Sequence, residues 1–129
     1  MGTHDKGLHH IAMNVTDIER SIGFYRDAFG FTQIRRWGDA TRAAMLDMGD
    51  GAILELFERP EAVRLDGHLV HIALRSADVD ADYARALGAG AGEITAPKDV
   101  DIPAERPFPV RIAFVKGPDG EPVELFAER

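Results

Sequence analysis

The segment Leu8-His-His-Ile-Ala-Met-Asn-Val-Thr-Asp17 occurs a second time, in altered form, as Leu69-Val-His-Ile-Ala-Leu-Arg-Ser-Ala-Asp78. At a constant offset of 61 residues, His10 corresponds to His71, and the Ile-Ala pair after each histidine is the same in both copies. Apolar residues alternate along each copy, which is the pattern of a β-strand. A chain of 129 residues that contains one pattern twice is predicted to fold as two equivalent modules.

The second half of the repeat lies further along the chain. Asp50-Gly-Ala-Ile-Leu-Glu-Leu-Phe57 resembles Asp119-Gly-Glu-Pro-Val-Glu-Leu-Phe126, now at an offset of 69 residues. The eight additional residues of the second copy are assigned to 95–108, where three prolines predict a long loop. Because long loops in small domains often carry function, this loop is expected to line or cover a site.

Within each copy, a helix is predicted after the first strand. In the first copy, Thr16-x-x-Glu19 is a candidate capping box, with Asp17 as a competing cap. Apolar residues then recur at helical spacing until Gly30 ends the helix. In the second copy, the helix is predicted to begin at Asp78 and to end at Gly88.

Three more strands are predicted after each helix, with Gly-Asp-Gly at 49–51 and Pro-Asp-Gly at 118–120 as turns. The predicted strands cover residues 8–15, 31–37, 42–48 and 52–58 in the first copy and 69–75, 91–95, 109–116 and 121–127 in the second. The sequence thus predicts one α+β domain over residues 1–129. It consists of two βαβββ modules, at about 8–59 and about 69–127.

Composition restricts the function. The chain is 45% hydrophobic and 29% charged, which is ordinary for a globular protein. Its net charge of −7 argues against nucleic acid and anionic lipid as partners and favours a small-molecule substrate. It has no cysteine, no secretory signal in residues 1–7 and no apolar run of the ~20 residues that a membrane span needs. A cytoplasmic location is therefore expected.

One histidine and one glutamate share a strand face in each module, because side chains alternate across a strand. The pairs are His10 with Glu55 and His71 with Glu124, all among apolar neighbours. A carboxylate on an apolar face is unfavourable unless it is paired or bound to a cation. If the modules pair about a pseudo-twofold axis, the four residues form a site for divalent Zn, Ni, Co, Mn or Fe. In the alternative interpretation, the glutamates face solvent on edge strands and the histidines are ordinary polar core residues.

The same residues resemble the vicinal oxygen chelate superfamily, which includes glyoxalase I, methylmalonyl-CoA epimerase, bleomycin-binding proteins and extradiol dioxygenases. The similar segments run over nearly the whole chain, from about residue 8 to 126: His10-Ile-Ala-Met-Asn-Val-Thr-Asp17, Arg20-Ser-Ile-Gly-Phe-Tyr25, Ala52-Ile-Leu-Glu-Leu56, His71-Ile-Ala-Leu74 and Pro118-Asp-Gly-Glu-Pro-Val-Glu-Leu125. The resemblance implies two βαβββ modules forming a curved mixed sheet around a metal site. It also implies a homodimer or an intrachain pair of modules.

The resemblance further implies one divalent transition metal per site, with His10, Glu55, His71 and Glu124 as ligands. The implied activity is that of a glyoxalase I-like isomerase, lyase or epimerase. Its substrate would carry adjacent oxygens and react through a metal-stabilised enediolate, with Glu55 and Glu124 as the catalytic pair. A small-molecule binding or resistance protein and an extradiol-type dioxygenase are the alternatives.

The positions that seat glutathione in glyoxalase I differ here. Asn14 stands where an Arg follows the first ligand histidine, and Arg59 and Gly67 replace two further family residues. The resemblance therefore predicts an enzyme that is not specific for glutathione. The candidate substrate contacts are Asn14, Phe57, Arg75, Arg111 and Phe126. In the alternative interpretation, Arg75 and Arg111 are solvated strand charges or ion-pair partners.

Overall fold

The structure is a computed structural model that describes residues 8–67 and 69–129. The expectation that the chain has no secretory signal concerns residues 1–7 and lies outside the described residues. Neither helix of the described part has the length and apolar content that crossing a membrane requires.

The first module has one helix and four strands. They are β1 (His10–Val15), α1 (Ile18–Phe29), β2 (Thr32–Trp37), β3 (Ala43–Asp47) and β4 (Ile53–Glu58). The strands form one sheet in the order β1-β4-β3-β2, in which β1 is parallel to β4 and the other neighbours are antiparallel. A short 3-10 helix, Pro60–Ala62, follows β4.

The second module repeats this arrangement. Its elements are β5 (Ile72–Arg75), α2 (Val79–Gly88), β6 (Gly92–Ile102), β7 (Phe108–Lys116) and β8 (Pro122–Glu128). The strand order is β5-β8-β7-β6, again with the first strand parallel to the last. The prediction of an α+β fold built from two βαβββ modules is confirmed, with one four-stranded mixed sheet in each module.

The apolar core of each module lies between the helix and one face of its own sheet. Ile18, Ile22 and Tyr25 of α1 are buried at helical spacing. In α2 the corresponding buried residues are Val79, Tyr83 and Ala86. Alternate residues of the inner strands supply the sheet side, with Leu54, Leu56, Val123 and Leu125 at most 2% exposed.

The N-cap of α1 is Asp17 and not Thr16. The Asp17 carboxylate accepts a hydrogen bond of 3.1 Å from the Arg20 backbone N–H, whereas Glu19 binds Arg36 instead of closing a capping box. Of the two caps that the sequence offered, the acidic one is used, and its charge also suits the positive end of the helix.

Glu58, the last residue of β4, holds the start of α1 against the sheet. Its carboxylate accepts the Ile18 backbone N–H at 2.9 Å and two hydrogen bonds from the Arg42 guanidinium. The Arg42 side chain first, and the Ile18 N–H second, lower the pKa of Glu58 below its usual value. Because this folded-state pKa is depressed, the stabilisation is present at neutral pH and is lost as the pH falls through that value.

The prediction of a long loop at 95–108 is wrong. Strand β6 continues to Ile102 and pairs with β7, so only residues 103–107 connect the two strands. The register shifts between Thr95 and Lys98, and Pro97 lies at this irregularity, where the ladder does not need its missing N–H. The eight additional residues therefore lengthen the hairpin of β6 and β7. Pro97 marks a bulge in the edge strand β6, not a loop.

We expect Asp17→Ala to lower the free energy of unfolding by about 1 kcal/mol, because the Arg20 N–H loses its acceptor. Urea denaturation followed by circular dichroism measures the change. Asp39→Ala removes an equal charge from an exposed loop position and serves as the matched control, with a change within about 0.5 kcal/mol. Equal midpoints for both variants would contradict the assignment of the cap.

Candidate metal centre

In the first module, the parallel pairing of β1 with β4 brings His10 beside Glu55. The register aligns Ala12 with Glu55 and His10 with Ile53, so His10 and Glu55 share a face two residues apart. The His10 Nε2 lies 3.5 Å from the Glu55 Oε1. Glu55 is only 8% exposed, whereas the His10 ring is open to solvent.

The second module builds the same pair from β5 and β8. Ala73 aligns with Glu124, and His71, just before β5, reaches along the same face. Its Nε2 lies 2.9 Å from the Glu124 Oε1, and Glu124 is 7% exposed. The edge of the His71 ring also contacts the Phe114 ring, with centroids 5.1 Å apart, which limits the rotation of the imidazole.

The burial of the two carboxylates excludes the interpretation that they face solvent on edge strands. Strands β4 and β8 are inner strands of their sheets, and both glutamates are buried. Within the described residues, each carboxylate has only the histidine of its own module as a partner. A buried carboxylate beside a single imidazole is electrostatically undersatisfied, so the donors fit a divalent cation in number of charges and in chemistry.

The structure forms two pairs of candidate ligands. Among the described residues, no three His, Asp or Glu side chains are grouped closely enough to hold a metal ion. His10 and Glu55 thus form one half of the predicted ligand set, and His71 and Glu124 form the other.

His9 is a candidate partner that the sequence did not identify. Its Nδ1 lies 2.9 Å from the Nδ1 of His10, so one of the two nitrogens donates to the other. If His10 is the donor, its Nε2 carries the lone pair that a metal needs, and the neighbouring ring fixes the tautomer. Strand alternation predicted that His9 points to the face opposite His10. His9 lies before β1, which begins at His10, so the alternation does not apply to it.

Four of the five candidate substrate contacts lie on the faces that carry the His–Glu pairs. Asn14 aligns with Phe57, two residues beyond Glu55. Arg75 aligns with Phe126, two residues beyond Glu124. Arg59, which the sequence analysis named only as a difference from glyoxalase I, lies beside them. Its guanidinium carbon is 4.5 Å over the centre of the Phe57 ring.

Of the two interpretations of Arg111, the structure shows the ion pair. Arg111 aligns with Ala127 and lies on the opposite face of the sheet from Glu124. Its guanidinium binds Asp80 of α2 through two hydrogen bonds of 2.8 Å, and Asp99 through a third of 3.0 Å. The Asp80 bonds first, and the Asp99 bond second, raise the pKa of Arg111 above its usual value. Arg111 therefore joins α2 to the sheet, on the face away from the His–Glu pair.

A cleft of about 580 Å³ opens at the end of β5 and β8. It is lined by Ala73, Leu74, Arg75, Ser76, Ala77, Phe126, Ala127 and Glu128. Arg75 and Phe126, which are register partners, both line this cleft, whereas His71 and Glu124 do not. Its size is within the range of small-molecule sites.

Comparison with known proteins agrees with this architecture. Residues 7–125 match the family model of the Glyoxalase/Bleomycin resistance protein/Dioxygenase superfamily. The chain belongs to this superfamily, as the sequence motifs indicated. The uncharacterized protein YwbC of Bacillus subtilis (strain 168) is 31% identical over 127 residues, covering 94% of this chain and 97% of YwbC.

Two solved structures illustrate the range of the fold. Glyoxalase I from Zea mays superposes with a TM-score of 0.76 at 23% identity, and the match covers 92% of this chain but only 43% of that one. This chain thus spans less than half the length of maize glyoxalase I. TnmS3, an antibiotic binding protein from Streptomyces sp. CB03234, superposes with a TM-score of 0.70 at 26% identity, covering 95% of this chain and 96% of TnmS3.

We expect Glu55→Met to leave the stability of chelator-treated protein unchanged or to raise it. The substitution removes a buried carboxylate whose one partner among the described residues is His10, at 3.5 Å, while keeping a similar volume. Leu54→Ala is the matched control on the other face of the same strand, where the side chain is 1% exposed. It should lower the free energy of unfolding by about 2–5 kcal/mol. A loss of more than about 1 kcal/mol for Glu55→Met would mean that Glu55 is there to stabilise the fold.

Proposed function

We propose that this protein is a metal-dependent enzyme, a glyoxalase I-like isomerase, lyase or epimerase that acts on a small substrate with adjacent oxygens. The observation that carries the proposal is the repeated pair, in which a histidine Nε2 meets a buried glutamate Oε1 in each module. Burying two carboxylates costs stability, and a structural role offers no compensation for that cost. Groups whose burial lowers the stability of the fold are found mainly at functional sites.

The ligands of the proposed metal are His10, Glu55, His71 and Glu124. Two imidazole nitrogens and two carboxylate oxygens suit one divalent Zn, Ni, Co, Mn or Fe ion per site. Each module supplies half of this set, so a complete site requires two modules, from one chain or from two. We propose that the working form is a homodimer in the cytoplasm, a setting that a chain without cysteine suits.

Proton transfer next to a carbonyl is the chemistry that this donor set favours. A divalent metal held there would polarise the substrate carbonyl and stabilise the negative charge that develops when the neighbouring C–H loses its proton. The two glutamates have the chemistry to accept and return that proton, because each is buried and, in the part of the chain that the structure describes, has only a histidine partner. Their burial also excludes water, which strengthens electrostatic interactions at the reacting carbon.

Glutathione is not the proposed co-substrate. Asn14 occupies the position from which an arginine of glyoxalase I meets a glutathione carboxylate, and Asn cannot form the same charge-assisted, bidentate pair. Hydrogen bonds to charged groups contribute roughly 1.5–3 kcal/mol each, so the loss corresponds to about ten- to a hundredfold in affinity.

A binding protein is the second candidate function. The likeness to TnmS3, at 26% identity over nearly the whole of both chains, favours it. Buried carboxylates that can accept a proton beside a metal suit a reaction better than the binding of an uncharged molecule alone, and for this reason we favour the enzyme. An extradiol-type dioxygenase is less well supported, because it needs one glutamate ligand with two histidines.

Metal binding is the first test of the proposal. Protein purified without chelator is expected to contain about one transition metal per chain by elemental analysis, and chelation should lower its thermal midpoint, since the metal binds only the native state. His10→Ala and His71→Ala should each weaken zinc binding by more than about a hundredfold, the upper cost of losing an outer-shell partner. Glu105→Gln, at an exposed position, is the control. Absence of metal, with no thermal response to Zn, Ni, Co or Mn, would refute the site.

Proton exchange is the second test. Metal-loaded protein in heavy water is expected to introduce deuterium next to the carbonyl of a 2-hydroxy ketone, 2-oxo acid or acyl-CoA ester, as followed by proton NMR. Glu55→Gln and Glu124→Gln should each slow the exchange about 10²–10⁴-fold, because they remove the proton acceptor, and at least one variant should retain metal. Glu105→Gln should exchange at the native rate. Consumption of dioxygen with catechols, in place of exchange, would instead identify a dioxygenase.

A further inference from the structure

The two candidate ligand histidines are held to different degrees by the glutamates of their own modules. The His71 Nε2 is 2.9 Å from the Glu124 Oε1, whereas the corresponding distance from His10 to Glu55 is 3.5 Å. The His10 side chain is also the more exposed of the two, at 41% against 33%. Because 3.5 Å is too long for a well-formed N–H···O hydrogen bond, Glu55 alone does not fix the orientation of the His10 ring.

The aromatic restraint on His71 has no counterpart in the first module. Phe114 aligns with Glu124, and its ring centroid lies 5.1 Å from that of His71. At the equivalent position of the first module, Met45 aligns with Glu55. Methionine has a flexible thioether side chain and no ring. The first module therefore needs another means of orienting its imidazole.

His9 provides a restraint of this kind. Its Nδ1 lies 2.9 Å from the Nδ1 of His10, and the two rings meet edge to face at 82°. The backbone of His9 is held as well, because its carbonyl oxygen accepts the Ile53 N–H at 3.1 Å, at the start of β4. The second module has Val70 at the position of His9, so it has no ring nitrogen there. Each module thus restrains its histidine through a neighbour that the other module lacks.

The direction of the His9–His10 hydrogen bond decides whether His10 can bind a cation through Nε2. A neutral imidazole has one N–H and one nitrogen lone pair. If His9 donated, the proton of His10 would be on Nε2, and that nitrogen would have no lone pair to offer. If His10 donates from Nδ1, its Nε2 lone pair lies on the side of Glu55, and the Nε2–H of His9 is left to solvent. Ligand histidines commonly donate their second N–H in this way, and the acceptor fixes the tautomer and the ring orientation.

We infer that His9 is a positioning residue for the proposed ligand His10. Its Nδ1 accepts the Nδ1–H of His10 and thereby holds the Nε2 lone pair of His10 on the side of Glu55. The inference rests on the proposed metal-dependent function, because only a bound cation requires that lone pair. His9 acts through His10 and does not bind the metal itself.

Zinc affinity in three variants tests the inference, measured by competition with a chelating indicator. His9→Phe keeps a ring and removes the acceptor, so it should weaken zinc binding about tenfold, the lower end of the effect of an outer-shell partner, because both rings are exposed. His9→Asn keeps an acceptor oxygen close to the position of Nδ1 and should recover most of the affinity. Val70→Phe is the matched control at the equivalent exposed position of the second module, and it should bind zinc as the native protein does.

Two further measurements separate positioning from a structural role and from direct binding. The thermal midpoint of chelator-treated His9→Phe should equal that of chelator-treated native protein. Nitrogen NMR of the zinc-loaded native protein should show the His10 proton on Nδ1, the His9 proton on Nε2 and no zinc on either nitrogen of His9.

Several results would overturn the inference and leave the metal proposal standing. They are native zinc affinity in His9→Phe, equal losses in His9→Phe and His9→Asn, a lowered midpoint without metal, and a zinc-bound nitrogen of His9. If the native protein does not bind zinc, the metal proposal fails and the inference fails with it.

Discussion

The parallel pairing between the first and last strands of each module is the constraint on which the candidate site depends. The histidine lies in the first strand or directly before it and the glutamate lies in the fourth, so that His10 and Glu55 are 45 positions apart in the first module. Only the register of β1 on β4, and of β5 on β8, brings these side chains to one face. A shift of one residue would send the carboxylate into the helix-packed core.

That register is held by interactions on the other face of the sheet. Leu54 and Leu56 flank Glu55 along β4 and are almost fully buried, so a slip would expose them. Glu58, at the end of the strand, is tied to the first N–H of α1 and to Arg42. The second module uses a different ion pair, between Arg111 and Asp80, for the same purpose. The apolar core and the ion pairs thus stabilise a register that also buries two unfavourable carboxylates.

Much of this organisation could be predicted from the sequence, because each prediction for one module could be checked against the equivalent residues of the other. A histidine or glutamate that recurs at an equivalent position of a repeated strand has the same face and neighbours, so His10, Glu55, His71 and Glu124 could be sorted into pairs. A residue that occurs in only one of the two modules has no counterpart, so the repeat does not indicate which face of the sheet it occupies. Arg111 was ambiguous for that reason, and its ion pairs with α2 depend on helix placement that strand alternation does not specify. The prolines near Pro97 were misread because a bulge in an edge strand and a loop have the same composition.

The two modules are alike at the His–Glu pairs and differ immediately beyond them. Asn14 in the first module corresponds to Arg75 in the second, whereas Arg59 in the first corresponds to Glu128 in the second. The proposed metal site would use the same donors twice, one histidine and one glutamate from each module. Substrate recognition has no such requirement, and a substrate with unlike ends is bound better by unlike surfaces. The modules therefore differ at positions where a substrate would be distinguished, while the residues that would hold the metal are the same in both.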